Sequence, residues 1–584
     1  MKPLLLSPAG DMKALDSAIR SGADEVYLGG PSFNARANAR NFDENGLILA
    51  SEKCRESGVG MHITLNTLVF ERELPSAMKY VSFLAEKVSP SALIVQDIGL
   101  ASEIKREFPE LCLHASTQMR IHSARDVEYL KTLGFSRAVL ARELPREDIA
   151  EFVKSGMETE IFVHGALCVC ESGGCLMSAL IGGRSGNRGE CAQPCRLPYK
   201  GNNRYPLSLS DLCLAPHIRE IASLGVKSLK IEGRMKSADY VGAVTAVYRR
   251  LIDEGRNASP EEMRLLSDIF SRSGFTDGYY ASKVTPKMFG VRREEDKERS
   301  QGVRAPSVDF KRQKADVAPA IPAKMPERNI EKVQHPRDQL GLVFRFEGAL
   351  PPRRLLTELY PLANRIDIPL SECKNPVLDG FTDKVSIIMP RLSFVREEGE
   401  ITALLDAARS RGVRHATVSS FSHFTLCDGF YLHGDYVFNA VNSRTVDTYS
   451  RFSLSSVMLS PECDARTVKG AKCALEYIGY GKLPVMHTQT CIIRNVEKCQ
   501  NAPKCYGILT DRTGASFPII SSFGHRNTIY NSVPSYHLDK RKELKKQGIG
   551  LITLLFTDEN EQMIEEVVAL AQTGKLPGFA YTRR

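Results

Sequence analysis

The sequence predicts an α/β fold: an N-terminal TIM-like (β/α)8 barrel with a cysteine-rich loop, followed by a C-terminal diverged α/β repeat of that barrel. Three observations lead there. Before residue 290, eight short apolar segments are mostly separated by helical stretches. A gap-free internal resemblance links the two halves of the chain. Between them, residues 291–335 are charged, Pro-containing and poor in apolar side chains, the composition of a linker. The expected organisation is therefore 1–290, 291–335 and 336–584.

In chain order the strand candidates are Leu4–Ser7, Glu25–Gly29, Met61–Thr67, Ala92–Asp97, Leu113–Thr117, Ala138–Arg142, Glu160–Gly165 and Ser228–Glu232. Each is short and almost continuously apolar, as a strand buried on both faces must be. Helical stretches such as Asp11–Ser21 and Arg125–Leu133 lie between them. Eight such repeats fit a closed barrel; an open doubly wound sheet is the alternative. Either fold places chemistry at the C-terminal ends of the strands. Those ends carry Asn66, Gln96 and Asp97, His114 to Gln118, Arg142 and Glu143, His164, and Lys230 to Arg234.

Residues 113–143 align without gaps to 432–462, sharing Leu-His, a helical Arg-x-Val and an apolar strand before Glu. His164 to Cys168 is paired with His487 to Cys491, and Gly225–Glu232 with Gly548–Leu555. The second half thus reads as a diverged copy of the first.

The chain has 584 residues and no apolar run long enough to span a bilayer. The opening MKPLLLSPAG lacks the features of a secretory signal and reads as a buried strand, so a cytoplasmic protein without a membrane partner is expected. A net charge of +9 is compatible with an RNA partner or a small anionic metabolite. Fifteen cysteines in a large cytosolic chain point to metal or catalysis rather than a disulfide framework.

Six of these, Cys168, Cys170, Cys175, Cys191, Cys195 and Cys213, fall in one glycine-rich region. Soft thiolates suit iron–sulfur clusters or zinc. Zinc sites usually show paired C-x2–4-C knuckles, and only Cys191 and Cys195 form such a pair, so the spacing favours iron–sulfur over zinc, buried structural cysteines or a catalytic thiol. Arg184, Arg188, Arg196, Lys200 and Arg204 make the same loop basic and suggest a phosphate-contacting rim. A second set, Cys491, Cys499 and Cys505 with His487 and His525, could hold zinc or a second cluster; the lack of a fourth cysteine favours a remnant or structural role.

The stretches Leu6-Ser-Pro-Ala-Gly10, Val26-Tyr-Leu-Gly-Gly30, Thr64-Leu-Asn66, Leu93 to Asp97, His114 to Gln118, His164 to Cys168, Ser172 to Cys175, Asn187 to Cys191 and Lys230 to Arg234 resemble the motifs of peptidase family U32, once called collagenase-like proteases. The resemblance covers about residues 3–290, and the second half is similar to the extra domain of the longer members. It implies a barrel-like fold, a 4Fe-4S cluster on four cysteines, and oxygen-independent hydroxylation of a tRNA wobble uridine, a 23S rRNA cytidine or a quinone precursor. In the RNA-directed members it implies dependence on prephenate. Asn187 to Tyr199 is similar to the rRNA branch and Ser210 to Cys213 to the tRNA branch. Carried over by residue, Cys168, Cys175 and Cys191 are cluster ligands. The fourth is Cys213 if the Asp-Leu-Cys pattern governs, the preferred reading, and Cys195 otherwise, while Cys170 is a bystander.

On this reading Arg142, Lys230 and Arg234, with Asn66, hold the anionic cofactor by charge-assisted bonds. His164 and Glu232 carry protons, with Lys230 and Gln118 in the same catalytic group. Two alternatives are a protease built on Cys168 and His164, in a chain without G-x-S-x-G or H-E-x-x-H, and a non-catalytic RNA-binding iron–sulfur protein.

Overall fold

The computed structural model describes residues 2–201, 203–300, 309–310, 312–313, 319–325, 340–468, 473–502 and 504–582. The strands are β1 Leu4–Pro8, β2 Glu25–Leu28, β3 Gly60–Leu65, β4 Ala92–Val95, β5 Leu113–Ala115, β6 Phe135–Val139, β7 Glu158–Gly165, β8 Asp211–Cys213, β9 Ser228–Ile231 and β10 Phe275–Thr276. They continue as β11 Gly341–Phe346, β12 Ala363–Pro369, β13 Val385–Ile388, β14 His415–Val418, β15 Tyr431–Gly434, β16 Leu454–Met458, β17 Ala474–Gly481, β18 Pro484–Thr488, β19 Tyr506–Thr510, β20 Ser516–Ser522, β21 Arg526–Tyr530, β22 Ser535–Tyr536 and β23 Ile549–Phe556.

Two closed parallel barrels result. In the first, β1 to β7 follow one another in space and β9 pairs with both β7 and β1. In the second, β11 to β17 do the same and β23 closes the ring between β17 and β11. Closure rules out the open sheet. All eight expected strands are barrel strands, although the sixth is Phe135–Val139, so Arg142 and Glu143 lie in the loop beyond it. Helix Met12–Arg20 falls where expected, capped by Asp11, whose side chain accepts from the Ala14 amide.

The chain divides into two compact units: 1–68, 75–199 and 203–324 in the first, and 69–74, 200–202 and 325–584 in the second. Part of the expected linker packs on the first unit: Arg312 donates to the carbonyls of Ala23, Ile19 and Ser57. Residues 301–308, 311, 314–318 and 326–335 of that segment lie outside the described residues. Among the described residues no helix is long and apolar enough to cross a membrane.

The repeat is structural where the gap-free alignment runs. It superimposes β5 on β15 and β6 on β16, and the Gly225/Gly548 match superimposes β9 on β23. The His164/His487 match is corrected by the fold. His164 ends barrel strand β7, whereas His487 lies in β18, which leaves the second barrel and pairs antiparallel with β21.

Inside the first barrel, charges are buried and paired. Arg137 binds Glu25 at 2.8 and 3.1 Å, Glu158 at 2.9 Å and Glu160 at 3.3 Å, and Lys230 binds Glu160 at 2.7 Å. Removing one partner of such a network strands the others in a low-dielectric interior. Arg137→Met should therefore cost about 3–5 kcal/mol, read as a lower urea midpoint by circular dichroism. An unchanged midpoint would show that the network does not support the barrel.

Candidate functional site

The cysteine-rich loop is the insertion between β7 and β9, and it sits at the C-terminal end of the barrel. Gly189, at φ +84°, lets it lie flat on the loop after β2: a Cβ there would meet the Asn34 carbonyl at 2.3 Å. The Ala37 amide donates to the Gly189 carbonyl at 3.2 Å and the Leu68 amide to the Asn187 carbonyl at 3.1 Å.

Within this loop Cys168 and Cys191 are exposed and Cys175 and Cys195 are half-buried. Cys195 feels the charges of Cys168, Cys175 and Cys191, and its enclosure, chiefly, pushes its thiol up to about 12. The Gln193 amide donates to Cys191 Sγ at 3.3 Å. Cys213 is elsewhere: β8 runs antiparallel to β7 and turns this thiol toward Tyr248 Oη at 3.8 Å and Met263 Sδ at 4.0 Å. Cys195 lies within the loop, where it feels the charges of the other three thiols. Among the described residues, no three of these four sulfurs lie within 4.8 Å of one another. A single tetrahedral zinc needs edges of about 3.8 Å. A 4Fe-4S cluster, in which each thiolate holds its own iron, makes no such demand, and Cys168, Cys175, Cys191 and Cys195 are the loop thiols that could hold one.

Beside the thiols lies a pocket of guanidinium groups. Glu232 is clamped by Arg36 at 3.1 Å and Arg142 at 2.9 Å. Although burial opposes it, these two cations hold its carboxyl down to about 2. Arg142 also stacks 4.0 Å over Phe162 and reaches Cys168 Sγ at 3.9 Å, joining the pocket to the cysteine loop. Arg234 is 3% exposed and donates only to neutral oxygens, Thr64 Oγ1 and Asn34 Oδ1 at 3.0 Å each and Asn41 Oδ1. Gly29 makes room for it, since a Cβ would sit 2.2 Å from Arg234 Nη2. Three guanidiniums against one carboxylate leave excess positive charge. At the same end of the barrel, Gln96 Oε1 and Nε2, Gln118 Oε1, Arg142 Nε and Arg234 Nε are buried without a hydrogen-bond partner among the described residues. Such groups call for a ligand or water.

Other expected roles change. Lys230 points into the barrel, bound to Glu160 and 4.5 Å over the Tyr27 ring, and has no free charge to offer an anion at the mouth. His164 is enclosed by Tyr240, Tyr248 and Phe275, and burial lowers it to about 3, so its ring is neutral and far from a proton carrier at pH 7. Its Nδ1 faces Tyr248 Oη at 3.4 Å rather than a thiol, so no Cys168–His164 dyad forms. Glu232, held ionised, positions two arginines instead of shuttling protons. Asn66 holds the β2 loop by accepting from the Ala35 amide at 3.0 Å. In the basic rim Arg196 is turned inward, donating to Leu167 and Leu209 carbonyls and Ser208. Arg184, Lys200 and Arg204 remain exposed.

Arg36 escaped the sequence reading, and Glu143 was marked there only as a strand-end polar group with no role assigned. Arg36 sits in a loop with no periodicity to mark it; its only signal is adjacency to the Gly29-Gly30 turn. Glu143 is buried beside Glu171, and burial and that second carboxylate raise it to about 7. It accepts from the Ser172 amide at 2.8 Å within the cysteine loop.

A family model described as Peptidase family U32 matches residues 10–289. An uncharacterized protease of Methanocaldococcus jannaschii is 36% identical over 47% of this chain and 72% of its own length. The chain belongs to peptidase family U32. Two further U32 relatives are the 23S rRNA 5-hydroxycytidine C2501 synthase of Escherichia coli (strain K12), 40% identical over 43% of this chain, and tRNA hydroxylation protein P1 of Bacillus subtilis (strain 168), 35% identical over 43%. The matches span 39% and 63% of those two relatives.

Because Glu143 is raised in the folded U32 barrel above its unfolded value near 4.5, the unfolded state ionises first as pH rises. Stability is full below pH 4.5, falls between about pH 4.5 and 7, and is level above. Glu143→Gln should remove that fall, on the order of 3 kcal/mol, in denaturation midpoints compared at pH 5 and 8; parallel pH profiles for both proteins would refute the raised carboxyl.

Proposed function

We propose that this U32 protein is an RNA-hydroxylating enzyme or factor, acting on a tRNA uridine or an rRNA cytidine without molecular oxygen as direct oxidant. The observation that carries the reading is the junction at Arg142, one guanidinium touching both Cys168 and the anion pocket. The relatives named for rRNA 5-hydroxycytidine synthesis and tRNA hydroxylation support the RNA substrate.

Cys168, Cys175, Cys191 and Cys195 would hold a 4Fe-4S cluster, which supplies one-electron redox or Lewis-acid chemistry when bound. Arg36, Arg142 and Arg234 would bind a carboxylated metabolite such as prephenate. A dianion compensates the excess positive charge, and planar guanidiniums bind carboxylates in bidentate fashion. Glu232 fixes Arg36 and Arg142 in position for it. Gln96 and Gln118 supply neutral donors and acceptors at the barrel mouth. Glu143, poised near neutrality, moves a proton at the edge of the cysteine loop. The exposed Arg184 and Arg204 would meet phosphates of the RNA. A peptidase reading has the protease-named relative in its favour, but His164 is sealed away from every loop thiol described above.

The test combines metal analysis with nucleoside analysis. After anaerobic purification the wild type should carry about four irons and four sulfides per chain. Cys195→Ser and Cys191→Ala should lose them and Cys213→Ser should keep them. RNA from a deletion strain should lack one hydroxylated pyrimidine, restored by the wild type and not by Arg234→Ala. Iron that survives Cys195→Ser and leaves with Cys213→Ser would overturn the ligand set; unchanged nucleosides in the deletion strain would overturn the RNA reading.

A further inference from the structure

The second barrel carries its own insertion between strands seven and eight, the same topological place as the cysteine-rich loop of the first. Here it folds as a four-stranded antiparallel sheet in the order β18-β21-β20-β19. One end of that sheet collects four ligand-bearing side chains from two connections. Cys491 lies just past β18, Cys499 and Cys505 precede β19, and His525 lies in the turn between β20 and β21.

The ligand atoms of Cys491, Cys499 and His525 all lie within 4.8 Å of one another, and Cys505 stands at the edge of that group, within reach of Cys499 alone. Cys491 Sγ is 3.7 Å from Cys499 Sγ, which is 3.9 Å from Cys505 Sγ. His525 Nε2 lies 3.4 Å from Cys491 Sγ and 3.0 Å from Cys499 Sγ. Zinc bound at about 2.3 Å to sulfur and about 2.0 Å to nitrogen has tetrahedral edges of about 3.8 Å between sulfurs and about 3.5 Å between sulfur and nitrogen. The separations among Cys491, Cys499 and His525 fit a single ion, and Cys505 is one such edge away from Cys499, whereas no three of the four loop thiols described in the first barrel gather this closely. The sulfurs are too far apart for a disulfide.

The surroundings hold the set in place. The Asn501 amide points at Cys499 Sγ at 3.5 Å, an N–H of the kind that stabilises a thiolate. The Ser521 amide donates to the Cys505 carbonyl at 2.9 Å, locking that cysteine to β20. His525 sits at φ +58° after Gly524 at φ +67°, a left-handed pair that a histidine seldom joins; the tight turn sends its ring back over the sulfurs.

We propose that Cys491, Cys499, Cys505 and His525 bind one zinc ion as a closed structural centre. With Cys505 drawn in from its place 3.9 Å from Cys499, three thiolates and one imidazole would complete the tetrahedron and leave no position for water or substrate, which is the mark of a structural rather than catalytic site. The ion ties the β18–β19 connection to the β20–β21 turn. Asn501, Lys504 and His525 also line a cavity of about 610 Å3, whose wall the ion would therefore shape.

The experiment uses the full chain, purified with its native metals. Elemental analysis should find about one zinc per chain, separate from any iron. Zinc-edge X-ray absorption on the wild type, which needs no variant to fold, should report three sulfur neighbours and one nitrogen. Cys499→Ser should cut bound zinc roughly tenfold or more with the iron content unchanged, and Cys505→His, which keeps a ligand, should retain it. The proposal falls if the wild type holds no zinc after incubation with the ion, if zinc persists in a Cys499→Ser, Cys505→Ser double variant, or if the metal proves to be iron bridged by sulfide.

Discussion

Glu160, buried in β7 between Arg137 and Lys230, is the interaction on which the first barrel rests. A carboxylate in that interior is tolerable only because two cations reach it, and each cation is in turn occupied by it. The consequence extends to the mouth. Lys230 is consumed below, so any anion at the strand ends must be met by Arg36, Arg142 and Arg234. The barrel therefore carries charge in two layers. The inner one is knit by salt bridges; in the outer one, Arg36, Arg142 and Arg234 share the one carboxylate of Glu232 and are left in excess of positive charge.

The second barrel repeats the inner layer with a different outcome at the outer one. Glu476 in β17 takes the place of Glu160 and is bound by Arg365 at 2.9 Å, which also holds Asp367. At its mouth Arg345 pairs with Asp435 and Arg391 with Glu347, so each guanidinium meets a carboxylate. Duplication kept the device that stabilises a barrel and discarded the unbalanced charge that makes an anion pocket. The insertion after strand seven differs as well, a glycine-rich loop in the first barrel and an antiparallel sheet that gathers Cys491, Cys499 and His525 in the second.

The barrel, its eight strands and the duplication were legible because parallel strands buried on both faces have to be continuously apolar, and helices between them cannot hide their period. Strand six was displaced because Leu140 and Ala141 continue the apolar run after the ladder has ended at Val139. The cysteine loop was legible from residue type alone. The surroundings of Cys195 and Cys213 were not, because the two are equally cysteines, and only the antiparallel turn of β8 sends one of them toward Tyr248.

By itself, then, the chain's order of apolar and polar residues determined a repeated parallel barrel with soft ligands after strand seven, since burial and ligand chemistry act residue by residue. What only the tertiary structure decided is which charges are already paired. Lys230, Glu232 and His164 look alike as strand-end polar groups, yet one is bound inside the barrel, one is clamped by two arginines and one is sealed among aromatic rings. Pairing and desolvation depend on neighbours brought from distant segments, Arg36 and Glu160 among them, and no local pattern records those.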